Sequence, residues 1–264
     1  MIPEAFNLTG RIALVTGATG YLGSAMARWL AGAGAHLLLN SRSEERCHRL
    51  EREIKEHGGS AESAPFNVTN DESIAEFISK RNLPRLHVLV NNAYSGKSGS
   101  IHSSTVNQYA ESYDIAVCSA HRVLTAFLGL LNDGVKEAGD ASVINIASMY
   151  GLVSPDLRIY PSNENANPPF YGAAKAALIQ WSRYAACELG PQGIRVNSVS
   201  PGPFPPPSVQ DGNPEFIDSL ARRVPLGRIG DAPEVAGPVL FLASRASTYV
   251  SGANIVVDGG WTAW

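Results

Sequence analysis

Residues 14–23 read LVTGATGYLG. An apolar run that meets three glycines and then passes into a helical pattern has the form of a strand handing over to a helix through a tight turn. Gly17, Gly20 and Gly23 leave backbone amides and the positive end of the following helix open to a pyrophosphate, which makes the segment a candidate dinucleotide site. Three glycines also make an ordinary tight turn. Position favours the binding reading, because this turn opens the first strand–helix unit of the chain.

Outward from this turn, apolar runs and helix-like segments alternate along the 264 residues. Strands are predicted at 11–16, 36–40, 63–68, 86–90, 142–146, 195–199 and 254–257, several with the unbroken apolar character of strands covered on both faces. Helices are predicted at 22–33, 44–57, 71–79, 106–131, 173–189 and 232–243, with Gly34, Gly58 and Gly190 placed as left-handed C-caps. The alternation predicts an α/β fold, a Rossmann-type doubly wound parallel sheet with helices on both faces, forming a single domain over 1–264. Ligands in such a sheet sit beyond the carboxyl ends of the strands. Two stretches rich in Pro, Asn and Ser, 152–169 and 200–214, break the rhythm and are predicted to be irregular loops.

Composition narrows the partners. A formal net charge of -3 offers no basic field for a nucleic acid or an anionic membrane. No basic leader precedes an apolar core at the start, and no stretch is read as a span of about 18 apolar residues, so a cytoplasmic protein is expected. Cys47, Cys118 and Cys187 are odd in number and scattered, and the six histidines lack paired ligand spacing. Neither a disulfide framework nor a metal is expected; a small-molecule partner is.

The second predicted strand ends at Asn40, Ser41 and Arg42. An acid here would accept hydrogen bonds from the ribose hydroxyls of NAD, whereas an arginine pairs with the 2'-phosphate of NADP. The acid is missing and Arg42 is present, although an exposed arginine that only faces water remains the plain alternative. Further on, YGAAK at 171–175 sets Tyr171 and Lys175 four positions apart, on one helical face. A nearby ammonium favours phenolate, so this pairing predicts a phenol whose pKa falls from about 10. Ser148, just past the end of an apolar strand in INIASMYG, could hold a carbonyl or alcohol oxygen against that phenol.

With these residues in place the chain resembles the short-chain dehydrogenase/reductase family over nearly its whole length. The matching motifs stand in order: TGATGYLG at 16–23, NVT at 67–69, NNAY at 91–94, NIAS at 145–148, YGAAK at 171–175, IRVNSVSPGP at 194–203, PLGRIG at 225–230 and VSGANIVVDGGW at 250–261. The resemblance implies a nicotinamide cofactor, Tyr171 as proton carrier, Ser148 orienting the substrate oxygen, and Lys175 holding the nicotinamide ribose. It further implies cofactor contacts from Gly17, Thr19, Tyr21, Leu22 and Gly23 in the turn, Ser41 and Arg42, Asn67 and Val68 by the adenine, Asn92, Ala93 and Tyr94, and Pro201 with Gly202 by the nicotinamide. Homodimers or homotetramers are usual in the family.

Four features depart from the family pattern. Tyr21 replaces a glycine in the turn, NNAG has become NNAY with Tyr94, Ala116 stands where a relay asparagine is usual, and Tyr171 follows Ser148 by 23 positions, a longer gap than is common. The extra residues form a lid-like segment at about 152–169, with Arg158 the expected substrate ligand. The expected function is an NADP-preferring oxidoreductase, with NAD possible, interconverting a ketone and a secondary alcohol on a small polar compound such as a sugar derivative. The alternatives are a relative with decayed catalysis and a regulatory or structural role, or one that uses the same Ser and Tyr for elimination or epimerisation.

Overall fold

The computed structural model describes residues 3–264. Its seven strands are β1 (Ile12–Val15), β2 (His36–Leu39), β3 (Ser60–Ser63), β4 (Val88–Asn91), β5 (Ala141–Ile146), β6 (Ile194–Pro201) and β7 (Asn254–Val257). They form one sheet in the order β3-β2-β1-β4-β5-β6-β7, and every pairing is parallel. The order reverses between β1 and β4, which opens a crevice beyond their carboxyl ends. Helices cover both faces: α1 (Tyr21–Gly32), α2 (Glu44–Glu56) and α9 (Ala232–Ala243) supply one core, while α3 (Asp71–Arg81), α5 (Ser119–Ala138) and α6 (Pro169–Leu189) supply the other. The Rossmann-type doubly wound sheet expected from the alternation is therefore present.

The third strand lies earlier than predicted. Ser60–Ser63 pairs with His36–Leu39, and β2 ends there. Residues 64–68 owe their apolar signal to burial of Ala64, Phe66 and Val68 in the core, and their carbonyls are met by a side chain: the Asn40 amide donates to Ala64 O and Phe66 O, both at 3.0 Å. A strand-like pattern here marks a buried segment whose last backbone bond to β2 runs from the Ala64 N–H to Leu39 O at 3.0 Å and which is held past that point by a side chain.

The predicted helix 106–131 is interrupted. Between α4 (Val106–Tyr113) and α5, residues Asp114–Cys118 form a π turn, a feature that frequently accompanies functional sites. The run Val106–Ala138 is by length and composition apolar enough to cross a membrane. However, Val123, Leu124, Phe127 and Leu131 are packed into the sheet's core, as in an ordinary core helix.

Three smaller differences follow from proline and glycine chemistry. Helix α6 begins at Pro169, because proline fits the first helical turn, where its missing N–H is unneeded. Prolines likewise start α7 (Pro207–Gly212) and α8 (Pro214–Ala221) inside the stretch expected to be irregular. Gly190 has a right-handed conformation and continues into a 3-10 turn; Gly193, at φ 81°, makes the left-handed cap instead. The segment 152–169 is irregular as expected, apart from single turns at Leu157–Ile159 and Asn163–Asn165.

Candidate active site

The glycine turn is closed by sterics. A Cβ on Gly23 would lie 2.2 Å from the Gly17 carbonyl oxygen, and one on Gly17, itself at φ 61°, would meet the Ala93 backbone at 3.0 Å. Thr16 and Asn92 clamp this turn to the end of β4. The Thr16 hydroxyl accepts from the backbone N–H of Asn92 at 2.9 Å and of Ala93 at 3.1 Å, while the Asn92 amide donates to Thr16 O at 3.0 Å and Gly17 O at 3.2 Å. Asn92 therefore shapes the turn through its backbone N–H and its side-chain amide nitrogen. Gly20 is the N-cap of α1 and Tyr21 its first residue. Tyr21 and Leu22 are half-buried, and Leu22 packs on the core beneath.

Beside the turn lies a cavity of about 300 Å3. Gly17, Thr19 and Gly20 form one wall, Ser41 and Arg42 another, and Asn67 and Val68 a third, with Ala93 and Tyr94 closing the end toward β4. Most of the expected cofactor residues are thus brought together. The sequence reading missed Arg46 and Thr69, which line the same cavity, and Asn40, which holds the 64–66 segment in place. Arg46 was legible in principle, since it stands in the first turn of the helix that begins two residues after Arg42. Neither arginine has an ion-pair partner among the described residues, and both are exposed.

Such a cavity fits a dinucleotide phosphate. It offers a glycine turn too tight for side chains, the unpaired N–H groups of the first turn of α1, and two cations without counter-charge.

The second part of the site lies at the carboxyl end of β5. Ser148 is buried, with an extended backbone, and its hydroxyl accepts from the Tyr150 N–H at 3.1 Å. Tyr171 and Lys175 project from the first two turns of α6. Lys175 is 4% exposed, and its Nζ donates to the Ile146 carbonyl at 2.7 Å. Burial pushes the Tyr171 phenol up to about 12, and a hydrogen bond from Ser148 offsets part of this. Burial likewise pushes the Lys175 ammonium down to about 7.

The expected acidification of Tyr171 by Lys175 is therefore overturned. The ammonium's charge is itself suppressed by burial, and desolvation of the phenol outweighs what neighbours supply.

Pro201 ends β6, and Gly202 follows it so closely against β7 that a Cβ would lie 2.5 Å from Asp258 Cα. Arg158, by contrast, is not brought to the Ser148 and Tyr171 pair by any hydrogen bond. Its side chain is 83% exposed and forks onto Asp156 at 2.9 Å through both Nε and Nη2. Asp156 also pairs with Arg223, just past the end of α8; Arg158 foremost, then Arg223, hold its carboxyl far below the usual carboxylate range. The Tyr150 and Tyr160 hydroxyls meet at 3.1 Å, and the Tyr160 ring lies 5.4 Å from Phe216 of α8. Segment 152–169 is therefore fastened to α8 by the Tyr160–Phe216 aromatic contact, to the turn just past α8 by the Asp156–Arg223 ion pair, and to the turn after β5 by the Tyr150 hydroxyl.

A family model described as Enoyl-(Acyl carrier protein) reductase matches residues 17–262. The chain belongs to the short-chain dehydrogenase/reductase family. It is 30% identical over 261 residues to the rhamnolipids biosynthesis 3-oxoacyl-[acyl-carrier-protein] reductase of Pseudomonas aeruginosa, covering 97% of this chain and 98% of that one. Among solved structures, the Pseudomonas aeruginosa RhlG/NADP active-site complex superposes with a TM-score of 0.89 at 29% identity, covering 99% and 100% of the two chains. A gluconate 5-dehydrogenase from Burkholderia cenocepacia in complex with NADP and tartrate gives 0.87 at 28% identity, covering 99% and 98%. This short-chain dehydrogenase/reductase is an NAD(P)-dependent oxidoreductase.

Proposed function

We propose that the protein interconverts a ketone and a secondary alcohol on a small polar, sugar-derived substrate, with NADP(H) preferred over NAD(H). The observation that carries this reading is the meeting of Ser148, Tyr171 and Lys175 at the end of β5, beside a cavity rimmed by Arg42 and Arg46. The nicotinamide cofactor supplies or accepts the hydride. Tyr171 transfers the proton at its Oη, to the carbonyl oxygen in reduction and from the hydroxyl in oxidation. With its pKa raised, the phenol is protonated at neutral pH, the state a general acid needs. Ser148 orients the substrate oxygen, and Lys175 holds the ribose.

The gluconate dehydrogenase likeness supports a polyhydroxylated substrate, and the two NADP complexes support the cofactor preference. Nothing in the geometry favours a decayed site. Segment 152–169, in this reading, is part of a lid that moves together with α8, joined to it through the Asp156–Arg223 pair. Purified protein assayed with ketoses, keto acids and polyols by NADPH or NADP absorbance tests the proposal. Turnover of a polyhydroxylated compound is expected; activity confined to acyl thioester substrates overturns the substrate class.

The protein is further read as a cytoplasmic homodimer or homotetramer. Val106, Tyr109 and Tyr113 are 84%, 40% and 48% exposed and fall on one face of α4, an apolar stripe that a second copy would cover. A monomeric mass by light scattering removes this part.

A further inference from the structure

Tyr94 occupies a place that the glycine usual in this family could not fill. Its ring lies edge-on to Tyr171, with centroids 4.9 Å apart and planes at 74°. The Lys175 Nζ stands 5.0 Å from the Tyr94 centroid, closer than its 5.7 Å from the Tyr171 ring. One side chain therefore touches both residues placed at the chemistry. It is also fixed at its far end: its hydroxyl meets Ser112 Oγ at 2.8 Å, and that oxygen donates to the carbonyl of Phe170 at 3.2 Å, one residue before Tyr171.

The surroundings are shaped for this ring. It packs on the small-residue cluster of Ala116, Val117, Ala120 and Ala174, and Gly96 leaves it room, since a Cβ there would lie 3.0 Å from the Tyr94 hydroxyl. The two departures from the family pattern at 94 and 116 are thus one spatial event: a large side chain from the β4 loop fills space beside a small one on the π turn. Lys175 needs such a partner. Its Nζ makes one hydrogen bond, to Ile146 O, so a desolvated ammonium with two further donors faces aromatic rings.

We infer that Tyr94 is a positioning residue for Lys175, its ring face holding the buried ammonium in place while its edge fixes the orientation of the Tyr171 ring. The inference rests on the oxidoreductase reading for its purpose, but not for its contacts. An aromatic face within about 6 Å attracts a desolvated ammonium and favours its charged form. The titratable groups facing Nζ are the phenols of Tyr171, from its own helix, and Tyr94, from the β4 loop. β5 contributes only the Ile146 carbonyl, and the π turn packed behind Tyr94 contributes Ala116 and Val117, which carry no charge. Without the ring, Lys175 loses its proton at lower pH.

The test is the titration of Lys175 in the cofactor-free protein, followed by NMR of lysine carrying a 13C label at Cε, with its signal assigned by loss in Lys175→Met. Tyr94→Leu should lower the midpoint by about half to one pH unit. It should move the alkaline limb of the kcat/KM profile by a similar amount in the same direction. Tyr94→Phe, which keeps the ring and loses the Ser112 tether, should keep the midpoint within a few tenths of a unit and so controls for misfolding of the leucine variant. A midpoint unmoved in Tyr94→Leu overturns the inference. A midpoint that rises also overturns it, because Tyr94 would then only be excluding water. As no cofactor or substrate is present, the titration stands or falls separately from the oxidoreductase reading, which fails instead if no carbonyl compound is turned over or if Tyr171→Phe turns over like the parent.

Discussion

The two ends of the site solve opposite problems. At the β1 and β2 end, Arg42 and Arg46 stand exposed around an open cavity, and the charges there are paid little for burial and held loosely. At the β5 and α6 end, Lys175 and Tyr171 are packed among aromatic rings, and burial pushes the phenol up to about 12 and the ammonium down to about 7. The difference teaches where specificity and chemistry are separable. Cations in water can be exchanged at small cost, so cofactor preference is tunable; a desolvated phenol and ammonium are coupled to the fold itself.

The strongest way to break this contrast is at the dry end. Tyr171→Phe removes only a hydroxyl, and turnover should fall at least about a hundredfold with cofactor affinity nearly intact. Steady-state kinetics on any substrate the parent reduces, with fluorescence titration of NADPH, provide the check. Parent-like turnover would remove Tyr171 from the proton step.

Lys175 should show the reverse relation between stability and function. Its pKa in the folded protein is depressed to about 7 from an unfolded value near 10.4. Between those values the unfolded chain binds the extra proton, so stability rises as pH increases across that window, and below about 7 the full cost of burying the ammonium is present. Lys175→Met, matched in length and apolar, should therefore stabilise the cofactor-free protein by about 1–3 kcal/mol at pH 6, even with the Ile146 carbonyl left unpaired, and the gain should shrink toward pH 10. Denaturant melts at the two pH values measure it. A variant less stable than the parent at pH 6 would mean that the ammonium is better solvated than its 4% exposure implies.

This contrast also marks what the sequence could disclose. The parallel alternation, the glycine turn, and the four-residue spacing of Tyr171 and Lys175 are local patterns, and local patterns survive in one dimension. The direction of the Tyr171 shift was not legible, because spacing reports who is adjacent while burial depends on Tyr94 and Ser148 arriving from elsewhere in the chain. The register of β3 was lost for a related reason: Phe66 and Val68 look like strand residues because they are buried, yet their segment is held by Asn40. Arg223 carried no signal at all until α8 brought it to Asp156.

At the wet end the effects should be smaller. Arg42→Ala should weaken NADPH about tenfold and leave NADH nearly unchanged, with Arg46→Ala adding a further loss, and raised salt should erode each contribution. Titration of both cofactors at low and high salt decides it. Tighter binding of NADH than NADPH by the parent would reassign Ser41 to a free ribose hydroxyl and leave both arginines as solvated charges.

The smallest effect belongs to Arg158. Exposed and forked onto Asp156, it leaves behind, when truncated, a carboxylate that still has Arg223. Exposed ion pairs contribute little, so Arg158→Ala should change KM less than about twofold. Asp156→Ala removes the shared partner of both arginines, unfastens 152–169 from α8, and should raise KM several-fold more than Arg158→Ala does, with cofactor affinity unchanged. Measured side by side, the two variants decide which cation serves the lid. A KM raised by Arg158→Ala as much as by Asp156→Ala would return Arg158 to the substrate, because a side chain whose only partner is Asp156 has no other route to the reacting carbon.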